Sequence, residues 1–241
     1  YPAQLQLGIP DYCGACACYD RSDGLILHTA KSLQQVGRTS LIRFLFVCLF
    51  LFPVAASAQT LPALYDVNGV AESDTLNVRT GPSTQFDVIN KLAPDAEGLE
   101  VVDIDKTGEW GLINVAEQSG WVALRFMRRQ NGQPDDGLPR AFTCFGTEPF
   151  WAFDVAQDLS ATFQEPERET EIGALVVVPS QNRTDRHALF GDGGERIFTT
   201  MVGHNQCFDG MSDRTYGLSI DLLVTDEAGV NVYSGCCSVS R

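Results

Sequence analysis

LNVRTGPS, residues 76–83, decides the fold class. Leu76 and Val78 alternate with Asn77 and Arg79, the period of a strand with one buried face. Gly81-Pro82-Ser83 then ends the strand, because proline cannot donate to a ladder and glycine permits a tight reversal. If Gly81 turns the chain through a left-handed φ, a β-branched replacement there is strained. Outward from this stretch, FDVINKL (86–92), LEVVDI (99–104) and WGLINV (110–115) are further short strands. GWVALRFM (120–127) pairs with WGLINV in a hairpin around Glu117-Gln118-Ser119-Gly120. No helical periodicity competes, so about five short strands are expected to form a small β-barrel.

A polar, turn-rich stretch, RRQNGQPDDGLPR (128–140), follows, and its composition predicts a linker over 130–140. Beyond it, 141–241 is expected to be a second all-β domain, a barrel or a sandwich. Tyr216, Leu218, Ile220, Leu222 and Val224 alternate without a break, and DEAG turns that strand into VNVYSG. FWAFDV, SATFQ, ALVVVP and RIFTTMV are further strands. SQNRTDRHALFGDGGE (180–195) reads as a long polar loop. Its Gly191-Asp192-Gly193-Gly194 lacks the strand-to-helix context of a phosphate loop.

The 241-residue chain carries a formal charge of −14, which argues against nucleic acid or an anionic membrane surface as a partner, since both want a basic face. Residues 38–58 read as a signal peptide: Arg38 and Arg43 give a positive start, residues 44–52 are unbroken apolar, and Ala56-Ser57-Ala58 supplies a cleavage site. The expected mature N-terminus is Gln59, with no stable membrane span afterwards, in an exported chain for which the periplasm is favoured over full secretion. Residues 1–37 lie upstream of that signal and read as an over-extended reading frame. Cys13, Cys16 and Cys18 fall there and are not taken as a metal site.

Four cysteines follow the signal: Cys144, Cys207, Cys236 and Cys237. An even count in an exported chain predicts two disulfides. A Cys236–Cys237 ring would be strained, since neighbouring Cα atoms lie about 3.8 Å apart, below the usual disulfide range. Cys144 is therefore expected to join one of the final pair and Cys207 the other. Adjacent strand residues face opposite sides and can reach two different neighbours. A zinc set of His204, Cys207, Cys236 and Cys237 is the weaker alternative, and no metal or cofactor is expected.

The order LNVRTGPS, apolar strand, EWGLINV, SGWVALRFM resembles the bacterial SH3-like domain over residues 64–129. That resemblance implies a small β-barrel in an exported protein, with a role in binding or targeting to peptidoglycan or to peptide. CFGTEPFW (144–151), CFDGMSDRTYG (207–217) and the terminal GCC are similar to an uncharacterised family of bacterial secreted and lipoprotein-type domains, over about 142–237. Phe208 and Gly217 stand where that pattern leads one to expect Ser and Pro.

Trp110 and Trp121 are suited to a groove for peptide or sugar, or else complete a small core. Arg79 would hold a carboxylate or brace the neighbouring turn. Glu148, Trp151, Asp209 and Asp213 would share one surface if the disulfides bring their two motifs together. The chain has no G-x-S-x-G elbow and no H-E-x-x-H motif, and only His187 and His204 follow the signal. The expected function is a non-catalytic envelope binding protein acting on cell-wall peptidoglycan or an envelope peptide or protein. The alternative is a peptidoglycan-related or other periplasmic enzyme with its site near Glu148, Trp151, Asp209 and Asp213.

Overall fold

In the computed structural model, residues 60–134 and 137–239 are described. The expectations for the export segment, cleavage between Ala58 and Gln59 included, lie outside the described residues. The described chain is all-β, with two antiparallel sheets and one 3-10 turn at Leu124–Phe126.

The first sheet has seven strands: β1 (Ala63–Val67), β2 (Leu76–Arg79), β3 (Val88–Leu92), β4 (Leu99–Ile104), β5 (Trp110–Val115), β6 (Gln118–Ala123) and β7 (Met127–Arg129). Their spatial order is β3-β2-β6-β5-β4-β1-β7. Leu76 and Val78 point into its core with Val67, Val101, Ile113 and Val122, as the alternation in β2 requires.

The second sheet has nine strands: β8 (Phe142–Thr147), β9 (Phe150–Val155), β10 (Ala161–Glu165), β11 (Arg168–Ile172), β12 (Val176–Pro179), β13 (Arg186–Asp192), β14 (Ile197–Cys207), β15 (Tyr216–Asp226) and β16 (Gly229–Ser238). Their order is β11-β10-β9-β8-β16-β15-β14-β13-β12. This sheet curls so that its two ends approach. Phe163 of β10 meets Phe198 of β14 edge-to-face at 5.6 Å and Tyr233 of β16 at 5.3 Å. Gly191 of β13 lies so close to Ile172 and Leu175 that a Cβ there would stand 2.6 Å from each.

Three local expectations are corrected. The first half has seven strands rather than about five, the last of them ending at Arg129, just before the expected linker. The β5–β6 hairpin turns at Ala116-Glu117, with Ala116 at a left-handed φ of 49°, so Gln118 onward is already strand. The expected polar loop contains β13, which pairs with β12 and β14 along its length.

Gly81 is not left-handed; its lack of a side chain makes room for the Phe86 ring, which a Cβ would meet at 2.7 Å. Gly81→Val therefore acts through overlap. It should cost about 1–3 kcal/mol as the exposed Phe86 is forced aside, measured as a drop in unfolding free energy in urea. An unchanged midpoint would show that Phe86 swings out freely.

The two sheets lie within a single compact unit. Asn114 and Ser119 of the first sheet grip Thr215: the Asn114 amide donates to the Thr215 carbonyl at 2.9 Å, and the Thr215 amide donates to the Ser119 hydroxyl at 2.8 Å. Ser238 donates to the buried Glu100 carboxylate, and the Val239 amide donates to it at 3.2 Å. Gly217, where the resemblance pointed to Pro, sits against the Pro62 ring. Among the described residues, no helix is long and apolar enough to cross a membrane.

Candidate functional site

The terminal GCC joins the two distinctive motifs. In β16 the side chains of Cys236 and Cys237 point to opposite faces. Cys237 is bonded to its cross-strand partner Cys144 in β8, and Cys236 to Cys207 at the end of β14. The connectivity left open by sequence is thus Cys144–Cys237 with Cys207–Cys236. All four thiols are oxidised, including the three of the zinc alternative. Among the described residues, no group of three or more His, Cys, Asp or Glu converges as metal ligands. The two disulfides point to an oxidising, non-cytoplasmic environment.

Between the two tethered motifs runs an open groove of about 710 Å³. CFGTEPFW supplies Phe145, Phe150 and Trp151, while CFDGMSDR supplies Asp209, Met211 and Ser212. Trp151 is almost fully buried, with its indole fitted over two glycines. A Cβ on Gly146 would stand 2.2 Å from the indole nitrogen, and one on Gly235 would stand 2.8 Å from the ring. The ring also meets Tyr233 edge-to-face at 5.8 Å. Trp151 thus forms the floor, and the edges are Phe150 and Met211, 63% and 68% exposed. Exposed apolar side chains edge the groove, with Glu117, Glu165 and Asp209 around it, so the surface is open and amphipathic.

The polar residues of the motif build the loop. Asp209 accepts the Met211 and Ser212 amides, each at 2.9 Å, together with the Ser212 hydroxyl and Tyr216 hydroxyl. Burial opposes the charge on Asp209, but these donors outweigh it and hold the carboxyl below the usual carboxylate range. A carboxylate committed to four donors is a loop brace and a poor general acid. Asp213 works through its backbone: its amide donates to the Glu117 carbonyl at 2.9 Å and its carbonyl accepts the Ser119 amide at 3.1 Å. Arg214 extends the seam, donating to the Ala116 carbonyl at 2.6 Å.

Of the four residues expected on one surface, Trp151 and Asp209 line the groove. Glu148 is exposed in the β8–β9 turn and Asp213 is exposed at the seam, and neither lines it. Phe150 and Met211, which edge the groove, were not singled out from the sequence. Each lies inside a motif already singled out: Phe150 opens β9 on its outer face and Met211 lies in the loop after β14.

In the first half, Trp110 and Trp121 lie on the same face of the β5–β6 hairpin, opposite the core face of Ile113 and Val122. Trp110 is nonetheless buried, and it lines a 230 Å³ hollow with Arg79, Leu76 and Phe126. Trp121 is half-buried and pairs across the strands with Leu112 and Arg79. Arg79 donates to the Phe86 carbonyl at 2.7 Å, so it braces the β2–β3 turn. No protein-family model, curated protein or solved structure matches the chain.

Proposed function

We propose that this chain is an exported, non-catalytic binding protein of the bacterial cell envelope. Its seven-stranded half, SH3-like in motif order, serves to target it to cell wall or peptide. The groove between CFGTEPFW and CFDGMSDR takes the apolar side chains of a peptide segment. One observation carries this reading: Phe150 and Met211, two large apolar side chains, stand exposed at the lips of a groove whose floor is fixed by Trp151 and two disulfides. Rigid, pre-formed apolar surface binds without a large ordering cost. The carboxylates around it favour a basic or amine-bearing partner over an acidic one.

The test uses the mature protein and its Phe150→Glu and Met211→Glu variants against insoluble peptidoglycan and against solubilised envelope protein. Both residues are exposed, so the fold should change by no more than about 0.5 kcal/mol. Retention by the cognate fraction should fall about tenfold with either variant. Unchanged retention would remove the groove from the function. Release of soluble fragments from purified peptidoglycan by the unaltered protein would instead establish an enzyme.

A further inference from the structure

The outer face of the nine-stranded sheet carries an apolar stripe well apart from the groove residues. Cross-strand register aligns Val176, Phe190, Thr199, Leu223 and Val232 in one row across the neighbouring strands β12 to β16. The next row on one side holds Val178, Ala188 and Met201, and the next on the other holds Ile197 and Val230. Alternate residues of the same strands, among them Leu189, Phe198, Leu222 and Val224, point inward and are buried. The large apolar side chains of the three rows are 37–65% exposed. They present roughly 600 Å² of apolar surface, the upper end for the largest patch on a monomer and about three quarters of the ~800 Å² each partner gives a stable complex. Ala188, Thr199 and Thr225 lie in the same rows and add to that area.

The relief and charge of β13 specify what fits this face. Its outward positions run Arg186, Ala188, Phe190, Asp192. Ala188 is small, and with Val178, Met201 and Arg186 it lines a hollow of about 430 Å³. The Phe190 ring stands next to that hollow in the neighbouring row. Arg186 lies flat over Gly203 and donates to the Asn205 side chain at 3.0 Å. Asp192 accepts the Gly194 amide at 2.8 Å. Cation, hollow, ring and anion thus follow one another along a single strand. That order is complementary to itself. A two-fold axis in the contact plane, perpendicular to the strands and level with Leu189, sets each Phe190 over the Ala188 hollow of the other copy. The same axis sets each Arg186 opposite the other copy's Asp192.

We propose that this stripe is the contact face of a two-fold dimer of the chain. The contact closes on itself, so association stops at two copies. The Val178 row ends in Asp221, which accepts the Ser234 hydroxyl at 2.7 Å and sets that corner at the solvated rim.

The test is sedimentation velocity of the mature protein up to about 100 μM, a concentration that resolves micromolar dimers. The net charge of −14 opposes association, so the buffer holds about 0.15 M salt, where charges beyond about 8 Å are screened. The unaltered protein should sediment as a dimer. Phe190→Asp, at an exposed position, should weaken the dimer at least about tenfold while the urea midpoint of the monomer holds. Val88→Asp, at a similarly exposed apolar position of β3, should leave the dimer intact. Arg186→Asp and Asp192→Arg should each weaken it about fivefold, and the two together should restore it. Six residues along a strand separate these groups by about 20 Å, so recovery reads a contact between copies and not within one. A monomer at every concentration, a dimer indifferent to Phe190→Asp, equal weakening by Val88→Asp, or charge reversals that simply add would each overturn the assignment. A monomer that floats with vesicles of uncharged phospholipid would give the stripe to a lipid surface instead.

Discussion

Replacing Cys144 and Cys237 together by alanine is expected to lower the unfolding free energy by about 4–5 kcal/mol in urea titrations. The bond closes a sequence separation of 93 residues, and the chain-entropy model relates the cost of opening a loop to its length. Removing the Cys207–Cys236 bond, with a separation of 29, should cost less, about 3–4 kcal/mol. The order of the two losses matters more than either size, because it follows from loop length alone. The longer bond also ties the last strand to the first strand of its sheet, β16 to β8. Its loss should therefore expose both distinctive motifs together, and retention through the groove should fall with stability. A reductant that shifts neither the urea midpoint nor retention would show that hydrogen bonding between β8 and β16 suffices to hold the motifs.

How far sequence foretold this molecule depends on which side chains carry each strand. LEVVDI, WGLINV and FWAFDV match β4, β5 and β9 residue for residue: FWAFDV alternates cleanly, and the other two are largely apolar runs bounded by turn residues. β13 was hidden because its inward residues include His187 while Phe190 on the same strand faces outward, so polarity and burial fall out of step. β11 was hidden for a similar reason: in RETEI only Thr170 and Ile172 point in. The two disulfides were legible down to two schemes, and the choice between them required the β8–β16 register.

The site was legible only in part. The motifs could be seen to meet, but sequence does not separate a carboxylate offered to a ligand from one used internally. Asp209 is used by its own loop, Asp213 contributes its backbone, and Glu148 stands outside the groove. Arg79 shows the same ambiguity resolved, since its guanidinium serves the turn beside it.

Glu165→Ala should be the most damaging single carboxylate deletion, at about 3 kcal/mol, because it strands a buried cation. Arg196, 3% exposed, donates to Glu165 at 2.7 Å and to the Thr170 hydroxyl at 3.3 Å, with Asp226 at 3.8 Å. Its guanidinium lies over the rings of Phe163 and Phe198. Tyr233, which meets Trp151 beneath the groove, donates to the same Glu165 carboxylate at 2.7 Å. Arg196→Met should cost far less than Glu165→Ala. It removes the buried charge, fills the space over two aromatic rings, and leaves Glu165 and Asp226, each about a fifth exposed, within reach of water. The double variant should then recover most of the Glu165→Ala loss, a coupling that a double-mutant cycle in urea measures directly. Simple additivity would mean that the cation is hydrated through a route closed in this structure. The same pair contributes to the acid limit. Burial raises the Glu165 carboxyl, but Arg196 and Tyr233 outweigh it, so its folded pKa lies below the ordinary value. The stability that follows is complete above the unfolded pKa, about 4.3, and is lost as the pH falls through the lower folded value. Glu165→Gln should flatten that loss as the pH falls below about 4.3, while leaving its own neutral-pH deficit. An acid limb unchanged by Glu165→Gln would assign it to other carboxylates.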